Sequence, residues 1–138
     1  MKARRAALPA LLFAVALTTA VPAEHAVAFR YTVLGYVTDA DGHALPGARV
    51  ELSREKTGFS YFGETGADGF YVIVARLGDE SAGETLSLRV GSQALVLRAR
   101  FDPADHTTER GTRVDFAARR SLESPTLFVG TLKRFLAQ

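Results

Sequence analysis

The chain predicts an all-β protein, a seven-stranded antiparallel Greek-key β-sandwich followed by a possible short C-terminal helix. Three observations carry that expectation. Side chains alternate with period two in seven runs between residues 31 and 116, turn residues punctuate those runs, and no segment before about residue 124 has helical spacing. Composition agrees: 47% of the 138 residues are hydrophobic and 23% are charged, outside the range of disordered chains. One domain fits this length.

The run 31–38 places Val33, Gly35 and Val37 on one face, and 48–53 does the same with Ala48, Val50 and Leu52. Between them, Asp39-Ala40-Asp41-Gly42 and Pro46-Gly47 are turn chemistry. Runs 59–65 and 70–75 form a hairpin closed by Gly66-Ala67-Asp68-Gly69, where glycine supplies the positive φ of a tight turn. Phe70, Val72 and Val74 are expected inside, which sends Leu34, Tyr36, Tyr71 and Ile73 outward. The runs 85–90 and 94–101 make a second hairpin around Gly91-Ser92-Gln93, with Leu86, Leu88, Leu95 and Leu97 inward and Arg89, Arg98 and Arg100 outward. Residues 112–116 supply the seventh strand. Ser124-Pro125 opens the tail, with Pro at a first helical turn, and Phe128, Leu132, Phe135 and Leu136 then form one apolar stripe. That tail either packs on the sandwich or serves as an amphipathic arm toward a partner or a membrane surface.

Residues 1–23 have the three parts of a secretory signal peptide: Lys2, Arg4 and Arg5, an apolar run over 6–21, and the small-x-small ending Val21-Pro22-Ala23. A cut after Ala26 or Ala28 also fits. The apolar run is shorter than the roughly 20 residues needed to span a bilayer. The expected organisation is a signal peptide over 1–23, a sandwich over 30–117 and a tail over 118–138, with no transmembrane span after cleavage. Losing the leader removes three of the 17 Lys+Arg and none of the 15 Asp+Glu, so the formal charge moves from +2 to −1. The absence of cysteine excludes a disulfide framework, a thiol nucleophile and a thiolate metal site. Export without cysteine points to a periplasmic or secreted bacterial protein.

The series Gly35-x-Val37-x-Asp39, Gly42, Leu45-Pro46-Gly47-Ala48-x-Val50, Gly58 and Thr65-x-Ala67-Asp68-Gly69-Phe70-x-Val72 resembles the carboxypeptidase regulatory-like domain, also called transthyretin-like or prealbumin-like. The resemblance implies a prealbumin-like sandwich, without cofactor or catalytic residues, of a kind appended to peptidases, outer-membrane receptors and surface proteins or standing alone in secreted ones. The transthyretin-related hydroxyisourate hydrolases share that architecture but rely on an N-terminal histidine, further His and Arg residues and a Tyr-Arg-Gly-Ser ending. This chain ends Phe135-Leu136-Ala137-Gln138.

Catalytic motifs are scarce. There is no Gly-x-Ser-x-Gly elbow, phosphate loop or His-Glu-x-x-His, and His106-Thr107-Thr108-Glu109 has metallopeptidase spacing without a later histidine. Asp39, Asp41 and His43, and separately Asp102, Asp105, His106 and Glu109, are weak metal candidates, because carboxylates and imidazole suit divalent ions. A Ca²⁺ loop fails, since Gly42 stands at its fourth position and no acid at its twelfth. Turn chemistry explains the same residues. Tyr36, Tyr61, Tyr71, Phe128 and Phe135 are the partner-binding candidates, the first three belonging to an aromatic group that also contains Phe59 and Phe62. Outward aromatics hold carbohydrate or protein, or lie under another segment. Arg98, Arg100, Arg110 and Arg113 are expected on a solvated face, and the balanced charge argues against nucleic acid.

The expected function is that of an exported, non-catalytic interaction module of the bacterial cell envelope, binding a protein or carbohydrate partner; its oligomeric state is open. The alternative is a small periplasmic hydrolase or metal-binding protein using His43 and His106. That alternative requires the two histidines in one pocket, with a carboxylate orienting an imidazole.

Overall fold

Alternation becomes two four-stranded sheets in the computed structural model, which describes residues 26–138. The signal-peptide expectation over 1–23 lies outside those residues. The strands are β1 (Arg30–Thr38), β2 (Arg49–Arg54), β3 (Ser60–Glu64), β4 (Phe70–Arg76), β5 (Thr85–Val90), β6 (Gln93–Arg98), β7 (Gly111–Ala117) and β8 (Arg120–Glu123), followed by the helix α1 (Phe128–Leu136). One sheet has the order β4-β1-β7-β8 and the other β3-β2-β5-β6. Their facing sides enclose a core that includes Tyr31, Val33, Leu52, Leu88, Val114 and Phe116. No helix among the described residues is long and apolar enough to cross a membrane.

Three expectations are corrected. The sandwich has eight strands, not seven. β8 pairs antiparallel with β7 across a tight turn in which Ala118 adopts φ 36, and its single large apolar side chain, Leu122, faces solvent, so no alternation announces it. The strands are not all antiparallel either. β1 and β7 run parallel, from Thr32 beside Gly111 to Thr38 beside Ala117, because the intervening chain leaves to build the other sheet before returning.

The third correction concerns β4. Tyr71, Ile73 and Ala75 enter the core, whereas Phe70, Val72 and Val74 take the opposite face. A strand half wet on one side shows its phase in sequence, but β4 is apolar on both sides and shows none. α1 covers Phe70 and Val72 on the outer side of β4 and leaves Val74 exposed: Leu34, Phe128 and Leu132 form a second buried cluster with Phe70, Val72 and Phe135 packed against it.

The helix begins later than Ser124-Pro125 suggests. Pro125–Leu127 form one 3₁₀ turn closed by the Leu127 N–H on the Ser124 carbonyl, the Ser124 hydroxyl caps nothing, and α1 starts at Phe128. Thr131 fastens it, donating to the Leu127 carbonyl at 2.7 Å while accepting from Arg113 Nη1 at 3.1 Å. Gly111 makes room for Phe128, whose Cζ would lie 2.5 Å from a Cβ at that position. Phe128→Ala is therefore expected to destabilise the protein by about 3 kcal/mol, read as a lower urea midpoint at unchanged slope.

Among the described residues, no helix covers the outer face of the second sheet. β2 turns Arg49, Glu51 and Ser53 outward, opposite core residues Val50 and Leu52, and β3 presents Phe62, which is 50% exposed.

Candidate functional site

Chemistry-bearing residues gather at the two ends of the sandwich and on its bare face. The β1–β2 connection carries Asp39, Asp41 and His43. Asp39 Oδ1 accepts the backbone N–H groups of Asp41 and His43, both at 2.9 Å, which is an Asx-type turn. One ligand atom from each of the three residues lies within 4.8 Å of the others, a donor set suited to a borderline divalent ion.

The loop before β7 disperses its candidates. Asp102 Oδ1 accepts from the Ala104 N–H, and Asp105 Oδ1 accepts from Thr107 and Thr108. Donors on Thr108, then on Thr107, hold the Asp105 carboxyl well below its usual range. His106 Nε2 lies 2.8 Å from Asp79 Oδ2 and 3.0 Å from the Pro103 carbonyl, while Glu109 pairs with Arg30. These four side chains face separate partners and build no common cage.

His43 and His106 do not share a pocket. His43 follows the C-terminal end of β1 and His106 precedes the N-terminal end of β7, and because those strands are parallel, the two loops sit at opposite ends of the sheet, about 20 Å apart. Both histidines are exposed.

Sequence reasoning missed the polar centre of that end of the molecule. Arg110, expected on a solvated face, is 3% exposed. Its Nη1 donates to the Ala28 carbonyl at 3.0 Å, and its Nη2 to Asp79 Oδ1 at 2.9 Å and to the Asp105 carbonyl at 3.1 Å. The guanidinium carbon lies 4.2 Å from the centre of the Phe101 ring. The Arg110 hydrogen bond, followed by that of His106, holds the Asp79 carboxyl below its ordinary range. One arginine thus ties the start of the domain, the 79–81 turn and the 102–110 loop together. Nothing in the spacing announces a pair 31 residues apart.

The aromatic candidates also separate. Tyr71 is 1% exposed, and its hydroxyl donates to the Val114 carbonyl at 2.7 Å. Burial pushes its phenol far above the normal range. Tyr71 is a core residue and not a docking residue. Phe128, at 2% exposure, and Phe135, whose ring lies 5.2 Å from that of Phe70, serve the helix–sheet contact. Tyr36 does point away from the main core, but it is half-buried against Phe70, with the Arg113 guanidinium 5.2 Å over its ring. Tyr61 packs on the edge of the core, with Phe59 against it at 5.0 Å.

Phe62 remains, on the bare face. Register sets Glu51 beside it on β2 and Arg89 beyond on β5, while Ser53 stands between Ser60 and Ser87 in the next row. Glu51 Oε1 accepts from Ser53 at 2.9 Å and from Ser60 at 3.1 Å, and these two hydroxyls hold the carboxyl below its ordinary range. The Arg49 guanidinium lies over the Phe62 ring at 4.0 Å. A crevice beside this pair is lined by Arg49, Phe62, Gly63 and Glu64. Outward alternation in Arg49-x-Glu51-x-Ser53 was the available signal for this site.

No family model matches the chain, and no curated protein does. Among solved structures it is similar to the dioxygenase domain of a dioxygenase–carbohydrate-binding protein fusion from the cellulolytic bacterium Streptomyces sp. SirexAA-E, at 19% identity over 66% of this chain and 80% of that one, TM-score 0.46. It is similar to chlorocatechol 1,2-dioxygenase from Pseudomonas putida at 13% identity over 67% of this chain, TM-score 0.45. Catechol 1,2-dioxygenase from Acinetobacter sp. ADP1 matches at 12% identity over 67% of this chain, TM-score 0.42. The chain spans 61% and 53% of the length of those last two proteins. None of the three is a carboxypeptidase regulatory-like domain, and similarity at this level assigns the chain neither a family nor an activity.

Proposed function

We propose that the chain is an exported, non-catalytic accessory module of the bacterial cell envelope, with the outer face of its second sheet as the working surface. One observation carries the choice of surface: α1 packs over Leu34, Phe70 and Val72 on the outer face of the first sheet and leaves Val74 at its margin, whereas the second sheet presents exposed Phe62 among arginines, a carboxylate and hydroxyls. Several reactive side chains elsewhere serve the fold. Asp39 and Asp105 order turns, Glu109 pairs with Arg30, and Asp79 holds Arg110.

Under this reading the sandwich is a prealbumin-like Greek key of the carboxypeptidase regulatory-like kind. The glycines of the resemblance have structural work that supports it. Gly35 permits a close approach to β7, and Gly42 and Gly69 take the positive φ of turns.

The test has two readouts from the full chain expressed with its leader. Export is expected to yield a mature form beginning at Glu24, Val27 or Phe29, identified by mass; a full-length form kept inside the cell would overturn the exported module. Envelope extract passed over wild-type protein is expected to leave a partner that an Arg49→Ala, Phe62→Ala double variant fails to hold. Equal recovery by both proteins would remove the face.

A further inference from the structure

We propose that the bare face of the second sheet binds a neutral, β-linked pyranose chain; this rests on the accessory-module reading and names the chemistry of its partner. Phe62, Glu51 and Arg89 are direct cross-strand neighbours on β3, β2 and β5. With adjacent strands about 4.8 Å apart, the row spans about 10 Å, the scale of two linked sugar rings.

The row offers the three contacts a pyranose uses. An aromatic ring receives the apolar C–H face of a sugar, and Phe62 keeps half its surface open with the Arg49 guanidinium 4.0 Å over its ring, so a sugar takes the part that the guanidinium leaves. A carboxylate accepts from sugar hydroxyls, and a guanidinium donates to them. Ser53 and Ser60 both donate to Oε1 of Glu51, which fixes the rotamer and leaves Oε2 with no protein donor among the described residues. Among the described residues Arg89 makes no side-chain hydrogen bond or ion pair, and its charge favours the ionised Glu51 across the strand. Acceptor and donor therefore stand one strand apart, and each hydroxyl of a vicinal pair meets its complement. This site is set before any ligand arrives, so little ordering cost falls on binding.

Charge and apolar area select among partners. Arg49, Arg89 and Arg98 are interspersed with Glu51 and Glu64 on this face, so positive and negative groups nearly balance and a carboxylate occupies the centre of the row. A polyanion would meet that carboxylate. A protein partner needs a contiguous apolar centre, but the large exposed hydrophobics here are Phe62 and Val96, three strands apart. A flat ligand rich in hydroxyls and without charge satisfies what remains.

The experiment is an amide chemical-shift titration of the protein, purified after expression of the full chain, with cellohexaose, with hexa-N-acetylchitohexaose and with polygalacturonate. The expected result is saturable shifts from at least one neutral hexaose, confined to residues 49–53, 60–64 and 85–96. Phe62→Ala and Glu51→Gln are each expected to weaken binding by about tenfold or more. Both residues are on the surface, so their thermal midpoints should match wild type, and Phe62→Leu provides a ringless variant of similar apolar bulk. The proposal is overturned by the absence of saturable shifts with either neutral hexaose, by shifts centred on α1 or the loops, or by variants that bind like wild type. Binding of polygalacturonate alone, suppressed by salt, overturns it too. If the face variants lose an envelope partner while neither hexaose binds, the saccharide falls and the module reading stands; if they change neither readout, both fall.

Discussion

Gly35→Ala is expected to abolish the cooperative fold or cost it about 4 kcal/mol or more, a large part of the roughly 5 to 15 kcal/mol that holds a domain of this size. A Cβ at this position would fall inside the Val114 carbonyl, with its carbon at 2.6 Å and Asp115 Oδ1 at 2.9 Å. Backbone cannot swing aside as a side chain can. The β1–β7 register shows how closely the strands approach: residues pair at Leu34 with Arg113 and again at Val37 with Phe116, but not between. In that interval the Val114 carbonyl accepts from the Tyr71 hydroxyl, and the Tyr36 N–H donates to Asp115 Oδ1 at 2.9 Å. Alanine forces β7 away from β1, breaks both bonds and opens the core beside Val114 and Phe116. Near-ultraviolet circular dichroism and urea unfolding report the loss. Gly42→Ala is the control, since its φ of +80 is strained for alanine but no atom lies within 4 Å; a cost of about 1 kcal/mol is expected there. If the two variants unfold at similar urea concentrations, the close approach is not what selects glycine at 35.

Arg110→Ala is expected to cost about 3 kcal/mol, on a par with Phe128→Ala. A buried guanidinium that ties three segments leaves carbonyls of Ala28 and Asp105 without their donor when it is removed. Arg110→Lys should recover little, because one ammonium cannot reproduce a planar fork with donors in several directions. The same contact makes stability depend on acid. The Asp79 carboxyl is held low in the folded state, chiefly by Arg110, so its contribution is fully present above the unfolded value of about 4 and is lost as pH falls through the lower folded value. Wild type should therefore lose stability below about pH 4 more steeply than Arg110→Ala does. Urea midpoints measured across that range provide the check, and parallel curves for the two proteins would contradict the assignment.

What was legible in the sequence follows the distribution of water. β5 and β6 lie in a sheet with one wet face, and the inward placement of Leu86, Leu88, Leu95 and Leu97 is visible in their alternation with Ser87, Arg89 and Val96. β4 is apolar on both sides, and the outer placement of Phe70 and Val72 is met by a helix that docks over 50 residues later in the chain. For the same reason Tyr71 and Phe128 were indistinguishable from surface aromatics: residue type reports a large apolar ring and not the side from which it is covered. The working face proposed here was half visible. Phe62 belonged to an aromatic group, but Arg49, Glu51 and Arg89 become its neighbours only through the pairing of three strands. Arg110 gave no signal at all, since its partners are carbonyls and a carboxylate brought in by tertiary structure.

The parallel pairing of β1 with β7 also imposes an order of assembly. β1 precedes the other described strands and lies inside its sheet, yet the neighbour on one side arrives nearly eighty residues later. A chain emerging from its N-terminus can close β2, β3, β5 and β6 by local hairpins and short crossovers, while that side of β1 waits as an open template for hydrogen bonding. Until Gly111–Ala117 emerge, any stray strand can occupy the place of β7. Premature termination upstream of residue 111 is therefore expected to yield a species that is adhesive as well as incomplete.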